Sequence, residues 1–148
     1  MIIPVWLHRD FLLKFAQTLD FLVIMMYNNI SEVFIMQQEI LNQITNTVTE
    51  SAKELLGDKL HSVILYGSYA RGDFNEDSDI DIMVLADIDD KEIWRWRRQL
   101  NKKTGGLDLE HNIVISVHMK NKHLFDSCIP ILPFYQNVVK DGVTLYAN

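Results

Sequence analysis

The chain has 148 residues, 48% of them hydrophobic, which suits one domain with a modest core and argues against overall disorder. Its formal net charge of −6 argues against a nucleic-acid backbone as the main partner, so no nucleic-acid partner is expected. The single cysteine, Cys128, excludes an internal disulfide and fits a reducing compartment, and we therefore expect a cytoplasmic protein.

Residues 1–35 do not follow the pattern of the rest of the chain. Their apolar run, Phe21–Tyr27, is shorter than the roughly 18 apolar residues of a membrane span, and the segment lacks the basic start and cleavage site of a signal peptide. Three interpretations remain: an extra helix packed on the domain, a partner-binding helix, or a misplaced start codon. We favour the last, because a regular helical pattern begins at Met36. We predict an N-terminal extension over residues 1–35 and a domain over residues 36–148.

Helices and strands follow one another from Met36 onward. Apolar residues at helical spacing predict a helix that starts at Met36 and is stopped by Gly57. Short apolar runs predict strands at Val63–Tyr66, Ile80–Leu85 and Ile113–Met119, and an edge strand at Val143–Tyr146. Further helices are predicted from Asp89 or Asp90 to about Lys103, from near Asn121, and from Phe134 to Lys140.

Gly67 and Ser68 stand directly after the first predicted strand. Glycine lets the backbone come close to a ligand, and a short helix is expected to start here. The amide groups at a helix start and the Ser68 hydroxyl can hold phosphate oxygens. The pair is therefore a candidate nucleotide-binding turn, and Gly72 can end its short helix.

Asp79 and Asp81 lie two residues apart at the start of the second strand, so their side chains point to the same face. Two neighbouring carboxylates repel each other unless a positive group lies between them. Mg²⁺ suits this place, because it binds carboxylate and substrate phosphate oxygens together. Either motif alone could also be a turn followed by a strand with an exposed acidic face. The two motifs together favour a site that binds a metal and phosphate.

The stretch from Tyr66 to Leu85 resembles the polymerase-β-like nucleotidyltransferase superfamily, in its minimal nucleotidyltransferase (MNT) branch. Gly-Ser-x-Ala-Arg-Gly at residues 67–72 and Ser-Asp-Ile-Asp at residues 78–81 match position by position, and a looser likeness extends over about residues 36–147. The resemblance implies an α/β (α+β) fold with a small mixed β-sheet flanked by helices. It also implies transfer of a nucleoside monophosphate from a triphosphate such as ATP to a hydroxyl, with Asp79 and Asp81 as catalytic metal ligands.

Members of this superfamily usually add a third carboxylate from a later strand. The predicted strand Ile113–Met119 contains no acid. Glu110 shares the alternating register of Ser116 and His118, so Glu110 is our candidate third catalytic carboxylate, with a solvated charge as the alternative. His118 is either a base at neutral pH or a structural, hydrogen-bonded histidine.

Two basic features have alternative interpretations. Arg71 either reaches a phosphate of the nucleotide or braces the acidic loop 73–79. The segment Trp94–Arg98 resembles a nucleic-acid patch, but helical spacing and the acidic composition favour a packed helix with a basic outer face.

The resemblance favours an Mg²⁺-dependent nucleotidyltransferase that acts on a protein hydroxyl. MNT proteins resemble antitoxins paired with HEPN-domain toxins, which they can inactivate by adenylylating a tyrosine. Two alternatives stay open. One is transfer of AMP to a small hydroxylated molecule such as an aminoglycoside, and the other is an MNT-fold antitoxin that blocks its partner by contact alone.

Overall fold

The structure is a computed structural model that describes residues 5–148 and, for side chains, residues 19–148 apart from 21 and 28–30. The chain divides into two compact units, residues 1–41 and residues 42–148. Among the described residues, no helix has both the length and the apolar character that crossing a membrane requires.

Helix α1 begins at Val5 and ends at Leu56, so its start lies well before the Met36 start that the periodicity predicted. In the first unit, many of its large apolar side chains are exposed, among them Val23, Met26, Tyr27 and Phe34. The proposed boundary between residues 35 and 36 stays a prediction, as does the misplaced start codon.

In the second unit, strands and helices alternate. The strands are β1 (Leu60–Tyr66), β2 (Ile80–Ala86), β3 (Ile115–Asn121) and β4 (Val143–Ala147). The helices after α1 are α2 (Ser68–Arg71), α3 (Ile93–Thr104), α4 (Leu107–His111), α5 (Lys122–Cys128) and α6 (Pro133–Asp141). A 3-10 turn, Gly57–Lys59, joins α1 to β1.

The strands form one four-stranded sheet in the order β3-β2-β1-β4. β1 is antiparallel to both β2 and β4, whereas β2 and β3 are parallel. The predicted mixed sheet flanked by helices is therefore confirmed. In this sheet Tyr66 on β1 is the neighbour of Asp81 on β2, and Asp81 is the neighbour of Ser116 on β3.

The alternation of side chains along β2 divides the sheet into two faces. Ile80, Ile82 and Val84 point to one face and are fully buried. Asp81 points to the other face, where Met83 packs with Phe125 of α5 and with other buried side chains. Aliphatic packing thus holds β2 rigidly, while the first residue of β2 on this face is a carboxylate.

β1 begins at Leu60, three residues before the predicted Val63, and α6 begins at Pro133, one residue before the predicted Phe134. Two later starts have local causes. α3 starts at Ile93 because Asp89 forms a turn first, accepting a hydrogen bond from the Lys91 amide to its side chain at 2.9 Å. β3 starts at Ile115 because the preceding segment forms helix α4, which ends at His111 and is followed by Asn112 in the left-handed conformation with φ 52°.

Candidate nucleotide site at the β1–α2 turn

Gly67 joins β1 to α2 in a conformation that only glycine adopts without strain, with φ 78° and ψ −155°. A Cβ added at this position would lie 2.5 Å from Oδ2 of Asp81. The absence of a side chain therefore lets the turn approach the carboxylate. The structure brings the two sequence motifs into contact at this point.

Helix α2 is a single turn that begins at Ser68. Its hydrogen bonds run back to the turn, with the Arg71 amide donating to the Gly67 carbonyl at 3.3 Å. Gly72 ends the helix in the left-handed conformation, as the sequence predicted. The first amides of a helix have no partner within the helix, so those of Ser68 and Tyr69 can donate to an anion.

The loop between α2 and β2 is held by local interactions. The rings of Tyr69 and Phe74 stack with their centroids 4.3 Å apart. Asn75 and Ser78 close the loop, because the Asn75 amide donates to the Ser78 hydroxyl at 2.9 Å and the Ser78 hydroxyl donates to the Asn75 side-chain oxygen at 3.2 Å. These contacts fix the residues that lead directly into Asp79.

Arg71 contacts the same loop from its start. Its Nε donates to Oδ2 of Asp73 at 3.1 Å, and both side chains are largely exposed. This contact is the bracing role that the sequence left open for Arg71. Exposed ion pairs are weak, on the order of 0.2–1 kcal/mol, so the arginine can exchange Asp73 for a phosphate. Its role in nucleotide binding stays a prediction.

Asp79 and Asp81 differ in their surroundings. Asp79 is exposed, immediately before β2, whereas Asp81 is half-buried within the strand. The pKa of the Asp81 carboxyl is raised, mainly by burial and further by the negative charge of Asp79, while His118 opposes the rise. Burial and the charge of Asp81 also raise the pKa of the Tyr66 hydroxyl. The negative charge at this corner is therefore incompletely compensated by the protein.

Ser116 occupies the position on β3 beside Asp81, and His118 is the next residue of β3 on that face. The ring of His118 meets the Tyr66 ring edge-on, with centroids 6.3 Å apart. A serine thus stands where the sheet would bring a third carboxylate next to Asp81. The importance of this position was not visible in the sequence, because it depends on the pairing of β2 with β3.

Glu110 lies on α4, where its side chain is exposed. The alternating register that connected Glu110 to Ser116 does not exist, because a helical turn and a left-handed Asn112 separate them. The strand argument for Glu110 was therefore wrong, since strand alternation does not extend into a helix. Its role as a third catalytic carboxylate stays a prediction without that support.

The donors at this corner fit a hard divalent cation. Asp79 and Asp81 supply carboxylate oxygens, which Mg²⁺ prefers, and their mutual repulsion is relieved by a cation. Within the part of the chain that the structure describes, no group of three His, Cys, Asp or Glu residues could enclose a metal. Such an ion would take its remaining ligands from substrate phosphates and water, as Mg²⁺ commonly does.

The mixed sheet with flanking helices and the glycine turn beside Asp81 agree with the nucleotidyltransferase fold that the sequence motifs predicted. The chain belongs to the family described as the nucleotidyltransferase domain, whose model matches residues 46–131. The match includes β1, the Gly67–Ser68 turn, both aspartates and β3.

Two similar proteins are candidate protein adenylyltransferases of Methanocaldococcus jannaschii. The first is 36% identical over 88 residues, which cover 60% of this chain and 80% of that protein. The second is 33% identical over 90 residues, which cover 59% of this chain and 89% of that protein. The likeness therefore extends over most of the length of both relatives.

Solved structures with a similar fold share less sequence. A mutant of the toxin–antitoxin MntA–HpeT has a TM-score of 0.44 and 22% identity, covering 70% of this chain and 73% of that chain. A candidate nucleotidyltransferase from Sulfolobus solfataricus has a TM-score of 0.44 and 21% identity, covering 74% of this chain and 86% of that chain. Both likenesses concern the fold only.

Proposed function

We propose that the chain is an Mg²⁺-dependent adenylyltransferase that moves AMP from ATP to a hydroxyl group of a partner protein. The observation that carries the proposal is the contact between Gly67 and Asp81, beside Asp79. It combines a turn that can hold phosphate with two carboxylates that can hold a metal. The two candidate protein adenylyltransferases support AMP as the group transferred and protein as the acceptor.

In this reaction the acceptor hydroxyl oxygen forms a bond to the α-phosphorus of ATP. The bond between that phosphorus and the oxygen bridging to the β-phosphate breaks, and pyrophosphate leaves. The Ser68 turn and Arg71 orient the triphosphate, and Asp79 and Asp81 hold the metal. When bound, Mg²⁺ offsets the negative charge that develops on the phosphoryl oxygens.

The proton of the acceptor hydroxyl needs a base. His118 is the candidate on the same face as Asp81, since the two side chains are close enough for the histidine to lower the Asp81 pKa. Glu110 remains the other candidate. His118 is favoured as the base if His118→Gln lowers the transfer rate more than Glu110→Gln does while leaving ATP affinity unchanged.

The partner we propose is a HEPN-type toxin whose tyrosine receives the AMP. The support is the match of residues 67–72 and 78–81 to the MNT motif. A neighbouring gene for a small helical protein with an Arg-x4-His motif would supply the protein to test. An aminoglycoside acceptor is the small-molecule alternative, which resistance of a host cell would reveal.

One observation favours a second candidate, a nucleotide-binding antitoxin that acts by contact alone. Ser116, not a carboxylate, stands beside Asp81 on β3. If two carboxylates are too few for transfer, the chain would bind nucleotide and neutralise its partner without modifying it. This candidate shares the nucleotide site with the first and differs only in turnover.

The experiment that separates the two is labelling of the partner with ATP that carries ³²P at the α or the γ position. Adenylylation predicts that the α label stays on the partner and the γ label leaves with pyrophosphate. The double variant Asp79→Asn, Asp81→Asn should abolish the mark. Asp87→Asn, which removes an exposed carboxylate just beyond the far end of β2, is the matched control and should retain it.

Two outcomes oppose adenylylation. A partner that is neutralised but never labelled identifies the contact antitoxin. A partner labelled from the γ position but not from the α position identifies phosphoryl transfer, because the α-phosphorus then leaves with ADP.

A further inference from the structure

A cleft of about 170 Å³ opens beside the Gly67 turn, between the end of β1 and helix α6. Its walls include Gly67 and Arg71 on the motif side and Phe134, Asn137 and Asp141 on the helix side. This volume is smaller than that of a typical complete ligand pocket, roughly 300–1,000 Å³. The cleft is therefore suited to part of a nucleotide, with the rest extending onto the open loop.

The spacing along α6 explains why these side chains meet in one place. Phe134, Asn137 and Asp141 are three and then four residues apart, so they share one face of the helix. The Phe134 ring packs edge-on against Tyr66 with centroids 5.6 Å apart, yet 48% of its surface is exposed. A half-exposed ring fixed at the mouth of a cleft offers a surface on which a planar base can pack.

Asp141 stands where helix stability does not favour an acid. It is the last residue of α6, and the negative end of the helix dipole opposes a carboxylate there. Its ion contact is long, with 3.8 Å between Oδ1 and the Nζ of Lys140, whose side chain is 80% exposed. A half-buried carboxylate in such a position is suited to accept hydrogen bonds from a ligand.

The charges in the cleft give the bound nucleotide a direction. Arg71 lies on the side of the Gly67–Ser68 turn and attracts phosphate, whereas Asp141 repels it. The triphosphate is thus directed toward Arg71 and the aspartates of β2. Neutral groups with hydroxyl or amino donors are directed toward α6.

We propose that this cleft binds the nucleoside half of ATP, with Asn137 hydrogen-bonded to the adenine edge and Asp141 accepting from the ribose hydroxyls. The inference rests on the proposed nucleotide site and adds the residues that recognise the base and sugar. The side-chain amide of Asn137 has an NH₂ group that can donate to a ring nitrogen of adenine and a carbonyl oxygen that can accept from the 6-amino group. A carboxylate is acceptor-only and matches ribose hydroxyls, as in dinucleotide-binding folds.

Double-mutant cycles that combine protein and ligand changes test these pairings. Binding is measured by calorimetry in Mg²⁺ without the partner, using ATP, purine riboside triphosphate, which lacks the 6-amino group, and 2′-deoxy-ATP. Asn137→Ala should weaken ATP binding about tenfold, and loss of the 6-amino group should then have little further effect. Asp141→Ala should likewise weaken ATP binding about tenfold, and loss of the 2′-hydroxyl should then have little further effect.

Controls separate recognition from folding. Gln136→Ala changes the exposed neighbour of Asn137 outside the cleft and should bind all three nucleotides like the wild type. Asn137→Asp presents two acceptors, so it should shift preference from ATP toward GTP, whose N1 and N2 groups are both donors. A merely structural role for Asn137 would not change the preference between bases.

The proposal is overturned if the effects of the protein and ligand changes are independent, or if Asn137→Asp leaves the ratio of ATP to GTP affinity unchanged. Because binding is measured without transfer, the two hypotheses fail separately. If the protein and ligand changes are coupled but no partner is labelled, only the adenylylation hypothesis is contradicted. If a partner is labelled but the protein and ligand changes act independently, only the role of α6 is contradicted.

Discussion

Gly67→Ala tests whether the turn must approach the Asp81 carboxylate. Gly67 has φ 78° and ψ −155°, a region that costs a residue with a side chain about 1–3 kcal/mol. The new Cβ would lie 2.5 Å from Asp81 Oδ2, where ordinary contact begins near 3.4 Å, so the carboxylate must move by about 0.9 Å. A displacement on the order of 1 Å in a reacting group can lower the rate by roughly 10².

Gly72→Ala is the matched control. Gly72 also has a positive φ, 77°, but a Cβ there has no neighbour within 4 Å. Strain of about 1–2 kcal/mol is partly offset by the reduced entropy of the unfolded chain, so this variant should be only slightly destabilised. Because nothing moves toward Asp81, its transfer rate and Mg²⁺-ATP affinity should match those of the wild type.

The assay combines urea unfolding with labelling of the partner by α-labelled ATP. We expect Gly67→Ala to be destabilised by about 2 kcal/mol. We expect its transfer rate, measured without urea where the protein is folded, to fall by roughly 10²-fold. If Gly67→Ala and Gly72→Ala lose stability and activity equally, the close approach to Asp81 has no functional meaning.

Three further predictions concern stability around the site. Gly142→Ala should destabilise the fold by about 1–3 kcal/mol in urea unfolding, because its Cβ would overlap the Val138 carbonyl and lie 2.7 Å from Ile64 Cγ2; an unchanged midpoint would contradict the packing. Ser116→Asp places a third carboxylate beside Asp81, so it should lower the Tm measured in EDTA. Because the added carboxylate can bind the metal, Mg²⁺-ATP should raise the Tm of this variant by more than it raises that of the wild type. A smaller rise than in the wild type would contradict the metal site. The raised pKa of Asp81 means that the fold disfavours the ionised carboxylate, so Asp81→Asn should raise the Tm of the metal-free protein at pH 7. This gain in Tm should disappear as the pH falls and the Asp81 carboxyl of the wild type becomes protonated. A gain that does not depend on pH would contradict this cause.

Much of the site could be predicted from the sequence because its signals are local. A glycine after an apolar strand and two acids on one strand face carry their meaning within residues 66–85. The structure adds that Gly67 and Asp81 are in contact, which follows from the antiparallel pairing of β1 with β2. Sequence order predicts that two such strands exist, but the register depends on packing throughout the sheet.

The neighbours of the site depend on long-range structure and were not predictable in the same way. Helix α4 and the left-handed Asn112 removed the register argument for Glu110, and the pairing of β2 with β3 placed Ser116 beside Asp81. The helical face of Phe134 and Asp141 could be derived from spacing, but nothing in the sequence assigned that face to the cleft beside Gly67. Strand limits and helix docking are decided by tertiary contacts, which a local pattern does not contain.

The nucleotide site itself is tested most directly by calorimetry of ATP binding with and without Mg²⁺, for the wild type and for Asp81→Asn. A metal held between Asp79, Asp81 and the triphosphate predicts that the wild type binds ATP at least tenfold more tightly in Mg²⁺ than in EDTA. Asp81→Asn should lose most of that dependence while remaining folded. Equal ATP affinity with and without Mg²⁺, or an undiminished Mg²⁺ dependence in Asp81→Asn, would contradict the assignment of these aspartates.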